Sequence, residues 1–344
     1  MKNEAKYDNI IMSWSSFGDF VLISQSMKTL IENGFVKKGV IITHQKEFKN
    51  LLAAEEKVDV LYPTQNIKDF LKLLSMSFSR NIFVLHDMPS HNRFTKEIRL
   101  AISVLLTKIR ISSKLILLLD KDFKEDVTTK ISKVFSNYKT IFDKTKKVHI
   151  SQYILDIISE AKITEKLICE YNIKFNEKEF DISSFGEKYI AMNPFASSDD
   201  KSMSVDWYIE YINKLRNITN KKIILIGGEK DEEKSEKIKK ETLNVINLCG
   251  ETSFREMLYI LKNCESMINV DSGPTHYGTF YKKPQIILWG ENNNFTYMPT
   301  HNPKATFVFG NKIVDVKDIY KADIKFTKYA DVDTTILAYK NLGL

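Results

Sequence analysis

The feature that most constrains this chain is a repeating alternation. Short, continuously apolar runs at residues 9–13 (NIIMS), 40–43 (VIIT), 58–62 (VDVLY), 81–86 (NIFVLH) and 114–119 (KLILLL) alternate with stretches of helical spacing. In residues 19–33, Phe20, Ile23, Met27, Leu30 and Ile31 share one helical face, and Gly34 supplies a stop. Strands apolar on both faces need helices on both sides, which is the signature of a parallel sheet. The series restarts at 188–193 (KYIAMN) and continues through 222–226, 245–248, 266–270 and 285–289. Two series predict two doubly wound α/β domains, over residues 1–175 and 176–326, with a closing helix in 327–344. The polar stretch 171–186 marks the boundary. In such a chain the carboxyl ends of the two sheets face a central cleft, and strand-to-helix turns carry the chemistry.

The length of 344 residues suits two domains, and 43% hydrophobic residues suffice for sizeable cores. The net charge is +7, yet only six of the 51 basic residues are arginine. A nucleic-acid reader clusters arginine, whereas lysine here is scattered over polar faces, so no nucleic-acid partner is expected. The charge fits mild attraction to phosphorylated substrates or to an acidic membrane surface. Cys169, Cys249 and Cys264 show no CxxC spacing, which argues against a disulfide framework and a zinc site. The first ten residues lack an apolar signal core, and Lys108, Arg110 and Lys114 interrupt the most apolar stretch, 100–119. The expected location is the cytoplasm, at most peripheral to the inner membrane.

Five turns stand out. The first is Ser15-Ser16-Phe17-Gly18-Asp19, where Gly18 permits a tight turn and Asp19 opens a helix. The helix dipole alone favours a carboxylate there, and the same position suits a base beside the cleft. The second runs from Asn193 to Lys201 (NPFASSDDK), before a helix that begins near Ser204 and buries Trp207, Tyr211 and Leu215. Its serine pair and lysine can hold a phosphate through hydroxyls and one point charge, although GxxxxGK[ST] occurs nowhere. The third, GGEKDEE at 227–233, lacks GxGxxG; an acid there can bind ribose hydroxyls, while the run 229–241 otherwise reads as a solvated helix with i,i+4 charge pairs. In the fourth, Ser253 and Glu256 form a capping box. The fifth, Asp271-Ser272-Gly273-Pro274-Thr275-His276, is the sharpest. With Gly273 at N-cap and Pro274 at N1, the amides of Thr275 and His276 are expected to lack intrahelical partners, leaving an anion site suited to a diphosphate. Gly278 lets that helix pack closely.

Taken together and in order, these turns resemble glycosyltransferase family 9, the ADP-heptose:lipopolysaccharide heptosyltransferases, over nearly the whole chain. SSFGD resembles the family's small-residue-GD turn, NPFASSDDK its phosphate loop, GGEKDEE its Gly-Gly-acidic element, NLCGETSFREM its "nLxGkTsLxE" stretch, and DSGPTHYGTFYKKPQIILWG its DSGPxH signature. The resemblance implies a GT-B fold and inverting heptose transfer from ADP-heptose to a lipopolysaccharide or lipooligosaccharide core acceptor, with no metal or other cofactor. It implies Asp19 as general base, with Ser16 and Gly18 beside it, and Lys201 as the phosphate-contacting lysine, with Ser197 and Ser198 in its loop. Asp231, or Glu232 if the alignment slips, falls on the ribose contact. Asp271 falls on the sugar contact, and Ser272 and Gly273 on the diphosphate, beside the amides of Thr275 and His276 read from the helix start.

The departures lie in the acceptor half. Ser13 and Trp14 stand where family members commonly carry Lys or Arg, residues 63–68 replace the usual basic stretch, and His86-Asp87-Met88-Pro89 replaces the "D-x-Q-G" turn. His91, Arg93 and Lys96 are possible substitutes. Another nucleotide sugar, a capsular glycan or a protein hydroxyl remain alternatives, as does a binding module without catalysis, against which Asp19 and Lys201 together argue. Residues 91–114 carry Arg93, Lys96, Arg99, Lys108, Arg110 and Lys114 around Leu100, Ile102, Leu105 and Leu106. That stretch reads either as a core helix with a solvated basic rim or as a face for an anionic membrane.

Overall fold

The computed structural model describes residues 5–13, 17–43, 52, 55–63, 65–76, 79–86, 114–120, 138–142, 148–160, 180–290, 297–319, 321–322 and 329–344. The chain divides into two compact units, Met1–Lys174 and Phe175–Leu344.

Unit 1 holds six strands: β1 (Tyr7–Ser13), β2 (Val36–Ile42), β3 (Val58–Leu61), β4 (Asn81–His86), β5 (Lys114–Asp120) and β6 (Tyr138–Phe142). All pair in parallel, in the order β3-β2-β1-β4-β5-β6. This is the doubly wound order, in which the chain reverses its direction across the sheet between β1 and β4. Helices α1 (Phe17–Glu32), α2 (Ile67–Met76) and α3 (Ile150–Ser159) accompany the sheet. Ile10, Ile11, Met12, Val40, Ile41, Phe83 and Val84 are all buried, as continuously apolar central strands require. Gly34 ends α1 with φ of +73°, a conformation that side chains other than glycine rarely adopt.

Unit 2 repeats the plan. Its strands are β7 (Tyr189–Asn193), β8 (Lys222–Leu225), β9 (Val245–Asn247), β10 (Ser266–Val270), β11 (Gln285–Leu288), β12 (Ala305–Phe309) and β13 (Lys312–Asp315). Their order is β13-β12-β11-β10-β7-β8-β9, parallel except for the antiparallel edge pair β12–β13. The helices are α4 (Val205–Leu215), α5 (Glu232–Lys240), α6 (Phe254–Asn263), α7 (Gly273–Phe280) and α8 (Val332–Asn341). Helix α4 starts at Ser204, whose hydroxyl accepts the Trp207 amide, and buries Trp207, Tyr208, Tyr211, Ile212 and Leu215. Helix α8 starts inside the expected 327–344 segment, at the N-cap Asp331. It joins the same core through Ala338 and Tyr339, and the Trp207 indole N–H donates to the Ala330 carbonyl at 2.7 Å. Part of the polar boundary stretch also packs here: Phe185 is buried, edge-on to Tyr189. Among the described residues, no helix is long and apolar enough to cross a membrane.

Candidate functional site

A doubly wound sheet leaves a crevice outside the carboxyl ends of the two strands at which its direction reverses, because the helices that follow them diverge to opposite faces. In unit 2 those strands are β7 and β10, neighbours in parallel register, with Asn193 opposite Asn269. The turns that follow are the second and fifth of the sequence analysis, so the topology brings together two motifs that are 70 residues apart. Lys201 Nζ lies 2.7 Å from Asp271 Oδ2. Asp271 is almost wholly buried, while the lysine side chain keeps 32% of its exposure, so the cation of the pair stays partly open to solvent. The Ser272 hydroxyl donates to Asn193 Oδ1, and Asn193 Nδ2 donates to the Ile226 carbonyl at 2.9 Å. Asn193 thus fastens the ends of β7, β8 and β10 to one another. Ser197 and Ser198 are exposed in the same loop, and the Ser198 hydroxyl donates to Asp200.

The start of α7 differs from expectation by one residue. Ser272 is the N-cap, Gly273 the first helical residue and Pro274 the second. Proline needs no amide partner anywhere in a first helical turn, so the earlier start costs nothing. The Thr275 amide is not free as expected: it donates to the Ser272 carbonyl at 3.2 Å. Its hydroxyl donates to the Val270 carbonyl, so Thr275 braces the turn. His276 is buried, which pushes its pKa down to about 4 and keeps the imidazole neutral at pH 7; Asp271 opposes that shift and Lys201 adds to it. Its Nδ1 has no hydrogen-bond partner within the protein. A Cβ at Gly278 would stand 2.6 Å from both Gln285 Oε1 and Met267 Sδ, so glycine there allows α7 to lie directly on the sheet.

The Gly-Gly turn after β8 forms a 3₁₀ turn, Glu229–Asp231. Asp231 is buried, and its Oδ2 accepts the Gly228 amide at 3.0 Å, so this carboxylate caps its own turn. Glu232, the first residue of α5, is exposed. The expected capping box is present: Ser253 accepts the Glu256 amide and Glu256 accepts that of Ser253. One contact of the serine loop, from Lys230, was not visible in the sequence. The Lys230 ammonium donates to the Ala196 carbonyl at 2.8 Å, inside the serine loop. The sequence signal was hidden, because Lys230 belongs to a charge run indistinguishable from a solvated helix face.

In unit 1 the corresponding turn follows β1. Asp19 is the third residue of α1, in its first turn, and Gly18 lies inside that helix rather than in a turn before it. Ser16, Trp14, His91, Arg93, Lys96 and the basic stretch 91–113 lie outside the described residues, as does the side chain of Asp19.

The family model for glycosyltransferase family 9 (heptosyltransferase) matches residues 124–323, more than half of the chain. The chain belongs to that family. A curated family relative, lipooligosaccharide heptosyltransferase 2 of Campylobacter jejuni subsp. jejuni, is 28% identical over 130 residues. That stretch is 36% of this chain and spans only 40% of the relative's length. The structure of E. coli ADP-heptose lps heptosyltransferase II superposes with a TM-score of 0.68 at 15% identity, covering 97% of this chain and 98% of that one. The glycosyl transferase family 9 structure from Veillonella parvula reaches 0.71 at 16% identity, covering 97% of both chains. At these identities the likeness establishes the fold, which in this family 9 chain is α/β of the GT-B kind with two Rossmann-like units.

Proposed function

We propose that this chain is an inverting glycosyltransferase that moves a heptose from ADP-heptose to a lipopolysaccharide or lipooligosaccharide core acceptor. The observation that carries the donor half is the Lys201–Asp271 pair at the β7/β10 switch point, beside the start of α7. Inversion is one displacement. The acceptor oxygen bonds to the anomeric carbon as the bond from that carbon to the diphosphate oxygen breaks. Asp19 takes the acceptor's hydroxyl proton as attack proceeds. The departing ADP gains negative charge, which Lys201 and the dipole of α7 stabilise, so the reaction proceeds without a metal ion. Asp271 holds Lys201 in place and meets the sugar; Asp231 or Glu232 meets the ribose. The acceptor is a glycolipid met at the cytoplasmic face, which the overall charge of +7 favours.

The test combines calorimetry with ADP, UDP and GDP and a transfer assay with ADP-heptose in EDTA. ADP is expected to bind most tightly, and transfer to proceed in EDTA with the opposite anomeric configuration in the product. Selective binding of UDP or GDP would move the donor to another nucleotide sugar. Loss of activity in EDTA, restored by Mg²⁺, would show that the leaving group is stabilised otherwise. Nucleotide binding without transfer to any core acceptor would point to another acceptor or to a binding module.

A further inference from the structure

We infer that Lys230 is a positioning residue that ties the serine loop to the Gly-Gly turn and so sets where the donor's diphosphate lies relative to its ribose. This rests on the donor reading above. The base of Lys230 is fixed by its neighbours. The Gly228 amide is taken by Asp231, and the Gly250 amide donates to the Gly227 carbonyl at 3.1 Å. Gly250 has φ of +80°, and a Cβ there would come within 3.1 Å of Glu229 Cα, so the two turns are locked backbone to backbone. From this anchor the Lys230 ammonium reaches across to the Ala196 carbonyl at 2.8 Å.

A turn further on, Lys234 makes a second tie. Its ammonium lies 2.8 Å from Asp199 Oδ1 and 5.4 Å from the centre of the buried Phe195 ring. Both loop contacts flank Ser197 and Ser198 and precede Lys201. The two ties differ in worth. The Asp199 carboxylate is 85% exposed, and an ion pair so open to water contributes little. The Lys230 bond is part-buried and charge-assisted, which is the stronger kind. The carbonyl that Lys230 holds lies one residue before Ser197. Loss of the bond therefore frees the segment that presents both hydroxyls.

The experiment uses the full chain with Lys230→Met, Lys230→Arg and Lys234→Met, and two measurements. Amide hydrogen exchange without ligand is expected to speed up in residues 195–202 of Lys230→Met while the strands of unit 2 are unchanged. Calorimetry is expected to show ADP binding weakened about tenfold in Lys230→Met, less than about threefold in Lys234→Met, and largely restored in Lys230→Arg. Adenosine binding, followed by saturation-transfer NMR, should stay near wild type, because the nucleoside does not use the serine loop. Unchanged loop exchange overturns the tie. Faster loop exchange with unchanged ADP affinity, or with equal losses for ADP and adenosine, overturns its role toward the diphosphate. If the wild type binds no ADP, the donor reading itself fails, while loop exchange still reports the tie.

Discussion

The two units share the order of their first six strands, and the described residues show where each places polar groups. In unit 1, among the described residues, the polar pairs joining central strands lie at their amino ends, while buried Asp69 accepts the Tyr62 amide at 2.9 Å just past β3. Asn9 Nδ2 donates to Asn81 Oδ1 at 2.8 Å, and Asp8 takes Lys37 at 2.8 Å and the Arg80 amide at 2.9 Å. Unit 2 has such a closure too, with Glu265 between Lys188 and Lys221. It adds a second set at the carboxyl ends, through Lys201, Asp271, Ser272 and Asn193. In both units these amino-end pairs join neighbouring strands where the chain enters the sheet. The sheet itself does not require the part-buried ion pair at the other end, where burial of the Asp271 carboxylate is costly unless it is well partnered. Placement of the pair at the switch point is the observation on which the proposed donor site rests.

This contrast is best broken by separating chemistry from donor binding. Asp19→Ala is expected to slow transfer about 10²–10⁴-fold, the usual loss for a positioned base, with ADP affinity unchanged. Transfer rates at saturating donor, together with calorimetry, check it. A variant that turns over like wild type removes Asp19 from the reaction.

Next in size is the acid response of His276 in unit 2. An unfolded histidine titrates near 6.5, whereas burial pushes the His276 pKa down to about 4. Between those values the unfolded chain binds the extra proton, so stability is full above about pH 6.5 and falls as pH drops through about 4, by about 3 kcal/mol in all. Denaturant unfolding followed through Trp207 and Trp289 should show this slope, and His276→Gln should flatten it. An equal slope in both proteins would assign the acid loss to other groups.

Much of this arrangement was legible in the sequence, and the exceptions have physical causes. The runs 81–86 and 266–270 coincide with β4 and β10 to the residue, because central strands are apolar on both faces. The edge strands β6 (YKTIF) and β13 (KIVD) escaped notice, since an edge mixes polar residues into the run. Strand β12 (ATFVF) was missed for another reason: five apolar residues alone do not distinguish a strand from a buried helix segment. At the site, the motifs named Lys201 and Asp271 separately, and only the strand order showed that they touch. Lys230 could not be found at all, because a lysine reaching back to a carbonyl 34 residues earlier leaves no local pattern.

Lys201→Ala should lower ADP affinity by about 1.5–3 kcal/mol, the worth of a charge-assisted contact. It also leaves the Asp271 carboxylate buried without its cation, so part of the loss is expected in thermal stability as well. Calorimetry with ADP and with adenosine separates the two effects. An ADP affinity equal to wild type would place the phosphates away from this loop.

The smallest effect sharpens the other side of the comparison. Asn9 and Asn81 are both buried, and Asn81 Nδ2 also donates to the Met76 carbonyl at 2.7 Å. Asn9→Ala leaves Asn81 Oδ1 without that donor at a site water cannot easily reach, which costs about 1–2 kcal/mol. If the amino-end pairs serve only closure of the sheet, the loss appears as faster amide exchange in β1 and β4, with transfer per folded molecule unchanged. A change in transfer rate or in ADP affinity, at equal folded fraction, would mean that the amino-end pairs also feel the reaction. The division of labour between the two ends of the strands would then be wrong. Asn9→Leu with Asn81→Leu refines the point. Replacing both partners removes the orphaned acceptor but frees the Met76 carbonyl, so the double variant should recover part, not all, of the stability lost in the single one.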